Sequence, residues 1–448
     1  MDSKNLFLRD LGDGLVMRRS TPADAEALST FSARIHSDQG PDEPDERVGA
    51  WVRDLLEKPH PTFDAGDFTI VEDTRTGEIV SSLNLISQVW RYAGTTFGVG
   101  RPELVGTLPE YRKRGLIRAQ FEVIHQWSAE RGELVQGITG IPYYYRIFGY
   151  EMAMNLGGGR RGYKPQIPKL DEGQVEPYRV RPARAQDLPF IAELYDQSCQ
   201  RSVVSCVWTP ELWQYELEGK RAKNVNRMEL CLVEAPDGGR LGFLAHPAHT
   251  WGSDMVATAY ELKAGISYGA VTPSVVRYLY AKGEAYAAQA GKLEEMAAFG
   301  FGLGAEHPVY QTMINSLPSV RKPYAWYLRV PDLPGFLRHI APALEKRLEG
   351  SPYAGHSGEL RLTFYRDGVR LEFEAGRLVK VEAWQPEPQG HSGEAAFPGL
   401  TFLQLLFGYR TLEELGYAFA DCWWKNDQVL GLLNALFPKQ ASNVWPVS

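Results

Sequence analysis

At 448 residues the chain is longer than one hydrophobic core normally serves, so it should divide into two or three domains. Its 44% hydrophobic and 23% charged residues exclude a disordered chain, and 11 Trp and 22 Tyr supply large apolar faces for several cores. A net charge of −7 excludes the basic face on which nucleic-acid binding rests.

No apolar run approaches the roughly 18 residues of a membrane helix, and the opening MDSKNLFLRD has no leader-like apolar stretch. The expectation is a soluble, cytoplasmic protein with no membrane partner. Cys199, Cys206, Cys231 and Cys422 form no CxxC pair and read as reduced structural thiols.

Along the chain, a helical region over 22–57 is followed by strands at 68–73 and 79–94 and a third near 103–107. A loop rich in Arg and Gly then opens a helix in which Leu116, Gln120, Val123, Ile124 and Trp127 share one face. A strand at 134–140 and the segment YYYRIFGYEMA close this unit at about residue 155. Residues 156–177, rich in Gly, Pro and charge, read as a linker. The pattern then restarts. Met17-Arg18 followed by Asp24 is echoed by Val180-Arg181 followed by Asp187, each a short strand, a turn, a capping Asp and an amphipathic run. Two copies of one domain are expected, the second over 178–324.

Residues 325–448 have a different texture. Leu333, Leu337, Ile340, Leu344 and Leu348 follow helical spacing, with Pro342 placed to break the run. Period-two strands follow on either side of Asp367-Gly368, then another strand after Gly376, and an apolar helical stretch over 397–415. This predicts an α+β third domain behind two mixed α/β domains.

The chemistry-bearing string is VGTLPEYRKRGLIR, residues 105–118. A strand ends, the chain turns, and a helix begins with unpaired N–H groups, which suits a pyrophosphate. Gly115 permits close backbone approach, and Arg112, Lys113, Arg114 and Arg118 add positive charge. Read by spacing alone, a solvated basic helix start remains the alternative.

The string resembles the acetyl-CoA motif of the GNAT N-acetyltransferases, V-x-V-x-P-x-x-Q/R-x-x-G-x-G/A. Val105, Thr107, Pro109, Arg112 and Gly115 match in place, with Thr107 for the second Val and Ile117 for the final small residue. The form RKRGLIR is similar to the enhanced-intracellular-survival (Eis) type of aminoglycoside and protein N-acetyltransferase, as is Tyr145 to Tyr150 with its F-G-Y. The resemblance implies two tandem GNAT-like domains and a sterol-carrier-like C-terminal domain. It implies that Val105, Gly106 and Thr107 hold the pantetheine arm and that Lys113, Arg114, Gly115, Leu116, Ile117 and Arg118 wrap the pyrophosphate with Arg112. Gly140 and Ile141 would lie near the reactive end, Tyr145 would protonate the leaving thiolate, and the C-terminal carboxylate, here of Ser448, would be the base. Acetyl-CoA is the implied co-substrate and a small-molecule amine or a protein lysine the acceptor. A homo-oligomer is implied, a hexamer being one such state. On residue chemistry alone Tyr143 or Tyr144 is as able as Tyr145 to face the thioester.

Direct attack of the amine in a ternary complex is expected, since the first domain contains no cysteine nucleophile. His246 and His249 lack a carboxylate or Cys at ligand spacing, so no metal is expected, and His125 reads as a surface or packing residue. The stretch ELKAGISYGAVTPSVVRYLYAKG in the second copy lacks the Arg cluster and reads as a lost cofactor site. Two rival readings remain: a non-catalytic acyl-CoA-binding regulator, and a lipid carrier built on the C-terminal domain.

Overall fold

The computed structural model describes residues 6–291, 295–387 and 392–448. Residues 1–5, part of the segment read as lacking a leader, lie outside them.

The first unit is built on strands β1 (Phe7–Gly12), β2 (Leu15–Arg19), β3 (Phe68–Asp73), β4 (Glu78–Tyr92), β5 (Thr95–Thr107), β6 (Val135–Ile138) and β7 (Glu151–Leu156). Its helices are α1 (Ala25–Ile35), α2 (Glu46–Glu57) and α3 (Leu116–Glu130). β1 to β5 are an antiparallel run in sequence order. β5 and β6 then pair in parallel through Val99–Val135 and Gly100–Gln136 alone, so the rest of β5 runs on without β6 beside it. That divergence opens the sheet where β5 hands over to α3.

Successive side chains of a strand point to opposite faces. Leu83 and Leu85 of β4 accordingly join Phe121, Ile124 and Trp127 of α3 on one face, while Ile86 joins Phe31, Trp51 and Leu55 from α1 and α2 on the other. α2 starts at Asp45, whose side chain accepts from the Arg47 N–H.

The strand Tyr324–Arg329 inserts between β6 and β7, antiparallel to both, with Tyr327 opposite Ile138 and Trp326 opposite Met154. A short strand Val204–Cys206 lies along the end of β4. Segments distant in sequence therefore complete the first sheet, which the local sequence pattern does not announce.

The two matching stretches hold the same ion-pair device. Arg18 bonds Asp24 and Glu72, and Arg181 bonds Asp187 and Glu234, each tying a strand end to the following helix start and to the neighbouring strand. The second unit carries a sheet of Arg179–Pro182, Met228–Glu234, Arg240–Pro247 and Ala259–Leu262, beside the helix Tyr268–Gln289. A separate sheet joins Asp254–Ala257, Ala298–Phe301, Gly159–Tyr163 and Ser319–Arg321. Gly159–Tyr163 falls inside the stretch expected to be a linker, so that stretch is in part structured. Its glycines serve close packing: a Cβ at Gly159 would stand 2.0 Å from the Phe301 carbonyl, and at Gly162 2.0 Å from that of Ser316.

Beyond residue 330, the helices Leu333–His339 and Ala341–Glu349 break at Ile340, next to Pro342 as the spacing predicts. Three antiparallel strands, Gly358–Thr363, Gly368–Glu374 and Arg377–Trp384, carry the alternating pattern. This region shares its core with the first sheet: the buried Tyr92 of β4 donates to the Leu406 carbonyl at 2.7 Å and accepts from Arg347 at 2.9 Å. No helix of the described residues is long and apolar enough to cross a membrane.

Candidate active site

Where β5 ends, Lys113 and Gly115 both adopt left-handed backbone (φ 64° and 77°) and turn the chain into α3. Gly115 is the helix N-cap, so no side chain caps the first turn, and no acidic residue stands in it. The free N–H groups of the first turn and the helix dipole, about half a positive charge, therefore face outward. A Cβ at Gly115 would meet nothing within 4 Å, so the space over the helix start is open.

Val105, Gly106, Thr107, Arg112, Lys113, Gly115, Leu116, Ile117, Arg118 and Ile141 all line a single cleft of about 750 Å³, which also takes in His36 and Tyr144. Sequence reading thus brings together nearly the whole expected cofactor set. Arg114 and Gly140 are the exceptions, the Arg114 guanidinium lying 5.0 Å over the Tyr111 ring. Arg112 donates to the Thr107 carbonyl at 3.3 Å and Arg118 lies over Phe148 at 5.4 Å. Among the described residues none of Arg112, Lys113, Arg114 and Arg118 is paired with a carboxylate, which leaves their charge for a ligand anion. Gly106 is needed for packing: a Cβ there would stand 2.6 Å from Ile35 of α1.

At the far end of the cleft, Tyr143 is 67% exposed, Tyr144 lines the cleft and Tyr145 is buried at 4%. Tyr145 packs against Phe121, Tyr144, Tyr150 and Tyr327. Its hydroxyl stands 3.6 Å from where a Cβ of Gly140 would be, and it makes no hydrogen bond to a described residue. The other buried phenols nearby are committed: Tyr150 bonds His125 at 2.8 Å, and Tyr327 accepts from the Tyr143 N–H. Burial, with the Glu103 carboxylate adding to it, pushes the Tyr145 phenol well above its ordinary value. At neutral pH it is a protonated hydrogen-bond donor.

Ser448 is not beside Tyr145 in any direct contact. Its Oγ accepts from Lys220 at 3.1 Å, in a buried pair of Lys220 with Glu216 (2.5 Å). Val447 carries the connection instead: its carbonyl accepts from Gln88 at 2.9 Å and from Arg101 at 2.8 Å. Arg101 also stands 2.5 Å from Glu103, whose charge reaches Tyr145. Upstream, Trp445 packs among Tyr195, Trp208 and Trp213 of the second unit, and its carbonyl accepts from Trp208 Nε1 at 3.0 Å.

Gln88, Arg101 and Glu103 were outside the sequence-derived set. The only signal for them is two charged residues in an otherwise apolar strand. His36 also lines the cleft, and burial holds its imidazole below the ordinary value. His125 is a packing residue between Phe121 and Tyr150.

The second unit starts its long helix differently. Ser267 caps the helix Tyr268–Gln289 by accepting from Ala270 N–H, which occupies a donor that α3 leaves free. Tyr310, which follows the strand Ala298–Phe301 much as Tyr145 follows β6, spends its hydroxyl on the backbone of Phe301, Leu303 and Gly304. His246 is buried and its Nδ1 bonds the Pro247 carbonyl, and the described residues hold no cluster able to bind a metal.

Residues 17–153 match the family model of the acetyltransferase (GNAT) domain. No curated protein matches the sequence. Among solved structures, a GCN5-related N-acetyltransferase from Anabaena variabilis is 16% identical, with 96% of this chain and 99% of that one covered and a TM-score of 0.62. A GCN5-related N-acetyltransferase from Kribbella flavida is 18% identical, covering 96% and 97%, with a TM-score of 0.58. Eis1 from Mycobacterium abscessus is 14% identical, covering 97% and 99%, with a TM-score of 0.56. At these identities the likeness is one of fold, and it runs the length of the chain.

Proposed function

We propose that this chain, whose first unit is a GNAT acetyltransferase domain, is an acetyl-CoA-dependent N-acetyltransferase acting on a primary amine, an aminoglycoside-like polyamine or a lysine. The observation that carries the reading is the uncapped start of α3, with Gly115 in left-handed backbone beside four cations that have no carboxylate partner.

The residues fit the cofactor's demands. The free N–H groups of residues 116–118, with Arg112, Lys113 and Arg118, are a match for a pyrophosphate. The stretch of β5 that runs on without β6, with Val105 and Thr107 at the cleft, offers unpaired backbone to an amide-bearing arm. Gly140, with φ 123°, keeps the space in front of the Tyr145 hydroxyl free of a side chain. Bound acetyl-CoA would supply the activated acyl group, and the amine nitrogen would form its new bond to that carbonyl carbon while the carbon–sulfur bond breaks. Tyr145, with its hydroxyl uncommitted, is the proposed donor toward the leaving sulfur. Its raised pKa makes full transfer to a thiolate of ordinary pKa about 8.5 uphill, so stabilisation by the hydrogen bond comes first and the proton follows as the amine gives up its own. The ammonium's other proton leaves to solvent before the attack, since Ser448 does not line the cleft. Most of the rate is assigned to positioning.

The acceptor reading draws on the stretch from the end of α1 to the first residue of α2. Asp38, Asp42, Glu43 and Glu46 are exposed there within nine residues, and Asp38 belongs to the cleft itself. A cation-rich acceptor is drawn to such a rim.

Calorimetric titration of acetyl-CoA into the protein, beside the double variant Arg112→Ala/Gly115→Asp, tests the proposal. Binding that the variant loses is the expected result and opens a screen of amines by thiol release. No binding by the intact chain sinks it.

A further inference from the structure

The second unit holds a cavity that shares no lining residue with the cleft at α3. Its strand Asp254–Ala257 pairs in parallel with Ala298–Phe301, while Ala259–Leu262, just beyond it, pairs with Arg240–Pro247. The chain therefore passes from one sheet to the other at Thr258. A cavity of about 450 Å³ opens in that split, with Thr258, Ala259 and Glu261 on one side and residues 303–308 on the other. Residues 440–443 and Trp445, from the end of the chain, form a further wall.

The lining is apolar at depth and charged at the mouth. Phe243 is fully buried, Leu303 and Tyr195 are nearly so, and Trp445 packs on Tyr195. Arg201, Ala305 and Glu306 are exposed. The Arg201 guanidinium is held by the buried Glu261 carboxylate, which also accepts from Tyr268 at 3.3 Å and from His307 Nε2 at 3.3 Å. Glu261 is thus spent within the wall, as the anchor of Arg201. Only one guanidinium nitrogen is used on it, and Nε and Nη1 bond no described residue. Glu306 pairs with no described cation.

A guanidinium fixed from behind with donors still free is a receiver for a carboxylate. An unpaired carboxylate at the same mouth answers an ammonium. An anion alone would meet Glu306 unpaired, and a cation alone would meet Arg201, so a ligand with one charge of each sign fits best. The apolar depth takes an apolar side chain, and the volume is that of a small-molecule site. We propose that this cavity binds an α-amino acid with an apolar side chain, its carboxylate on Arg201 and its ammonium at Glu306. The site is separate from acyl transfer. Its ligand also braces the end of the chain, whose Val447 carbonyl is held by Gln88 and Arg101.

The test is thermal unfolding and saturation-transfer NMR of the full chain with each standard amino acid in turn, followed by calorimetry on the binder. The expected result is that leucine, isoleucine, valine, methionine or phenylalanine raises Tm and shows transfer. Its methyl ester, and the analogue lacking the amine, should each bind about tenfold more weakly or worse. Three variants should show the same loss: Arg201→Lys, which keeps a charge for Glu261 but not the fork, Glu306→Gln, and Ala305→Trp, which blocks the mouth. Ala305 and Glu306 are exposed, so without ligand those two variants should melt as wild type does. A wild type that binds no amino acid overturns the inference. So does binding that all three variants retain, or an ester that binds as well as the free acid.

Discussion

The Arg101 guanidinium spans two parts of the site: it donates to the Val447 carbonyl at 2.8 Å with one nitrogen and stands 2.5 Å from Glu103 with another. A residue of β5 thereby holds a segment 346 positions later in the chain. Arg101→Ala leaves a nearly buried carboxylate and a buried carbonyl without their partner, a loss on the order of 3 kcal/mol. Denaturant unfolding should show the midpoint fall accordingly, and Arg101→Lys should recover part of it.

Gly115→Asp separates folding from binding. The position has open space, so the fold bears only the backbone cost of a left-handed non-glycine residue, about 1–2 kcal/mol. The new carboxylate sits where the anion is expected. Thermal unfolding should shift modestly while acetyl-CoA affinity falls more than about tenfold.

Tyr145→Phe removes a hydroxyl that bonds no described residue. Stability should stay within about 0.5 kcal/mol of wild type. Turnover should fall by about 10²–10³, the usual cost of one aimed donor, with KM for acetyl-CoA little changed. A variant with wild-type turnover would move the donor role to Tyr144.

Stability should decline in mild acid. Burial, with Lys220 adding to it, lowers His60 to about 4, and burial with Arg329 lowers His125 to about 3. An unfolded chain binds protons at these imidazoles below about pH 6.5 while the folded one does not, so stability is full above that pH and is lost as pH falls toward 4. Each residue contributes roughly 3 kcal/mol to the decline. His60→Gln should flatten the denaturant midpoint between pH 6.5 and 4.

The cleft at the start of α3 was legible because its signals are local. Gly115, the Arg-Lys run and the helix start are contiguous in sequence, and their chemistry follows from backbone geometry that neighbours dictate. The Arg-turn-Asp pattern was legible for the same reason, and its ion pair forms in both stretches. The pairing of Glu103 with Asn84 was hidden, since it depends on a bulge that shifts cross-strand register by one residue. The strand Gly159–Tyr163 was hidden by its glycines, which composition counts as flexible and packing uses as thin. Nor does any pattern within Tyr324–Arg329 tell that its partners are β6 and β7.

That inserted strand bears on how such a chain evolves. Removing everything from the second unit onward would strip Trp326 and Tyr327 from the middle of the first sheet and leave two bare strand edges facing a gap. The later part of the chain is then retained because losing it costs the first sheet its architecture.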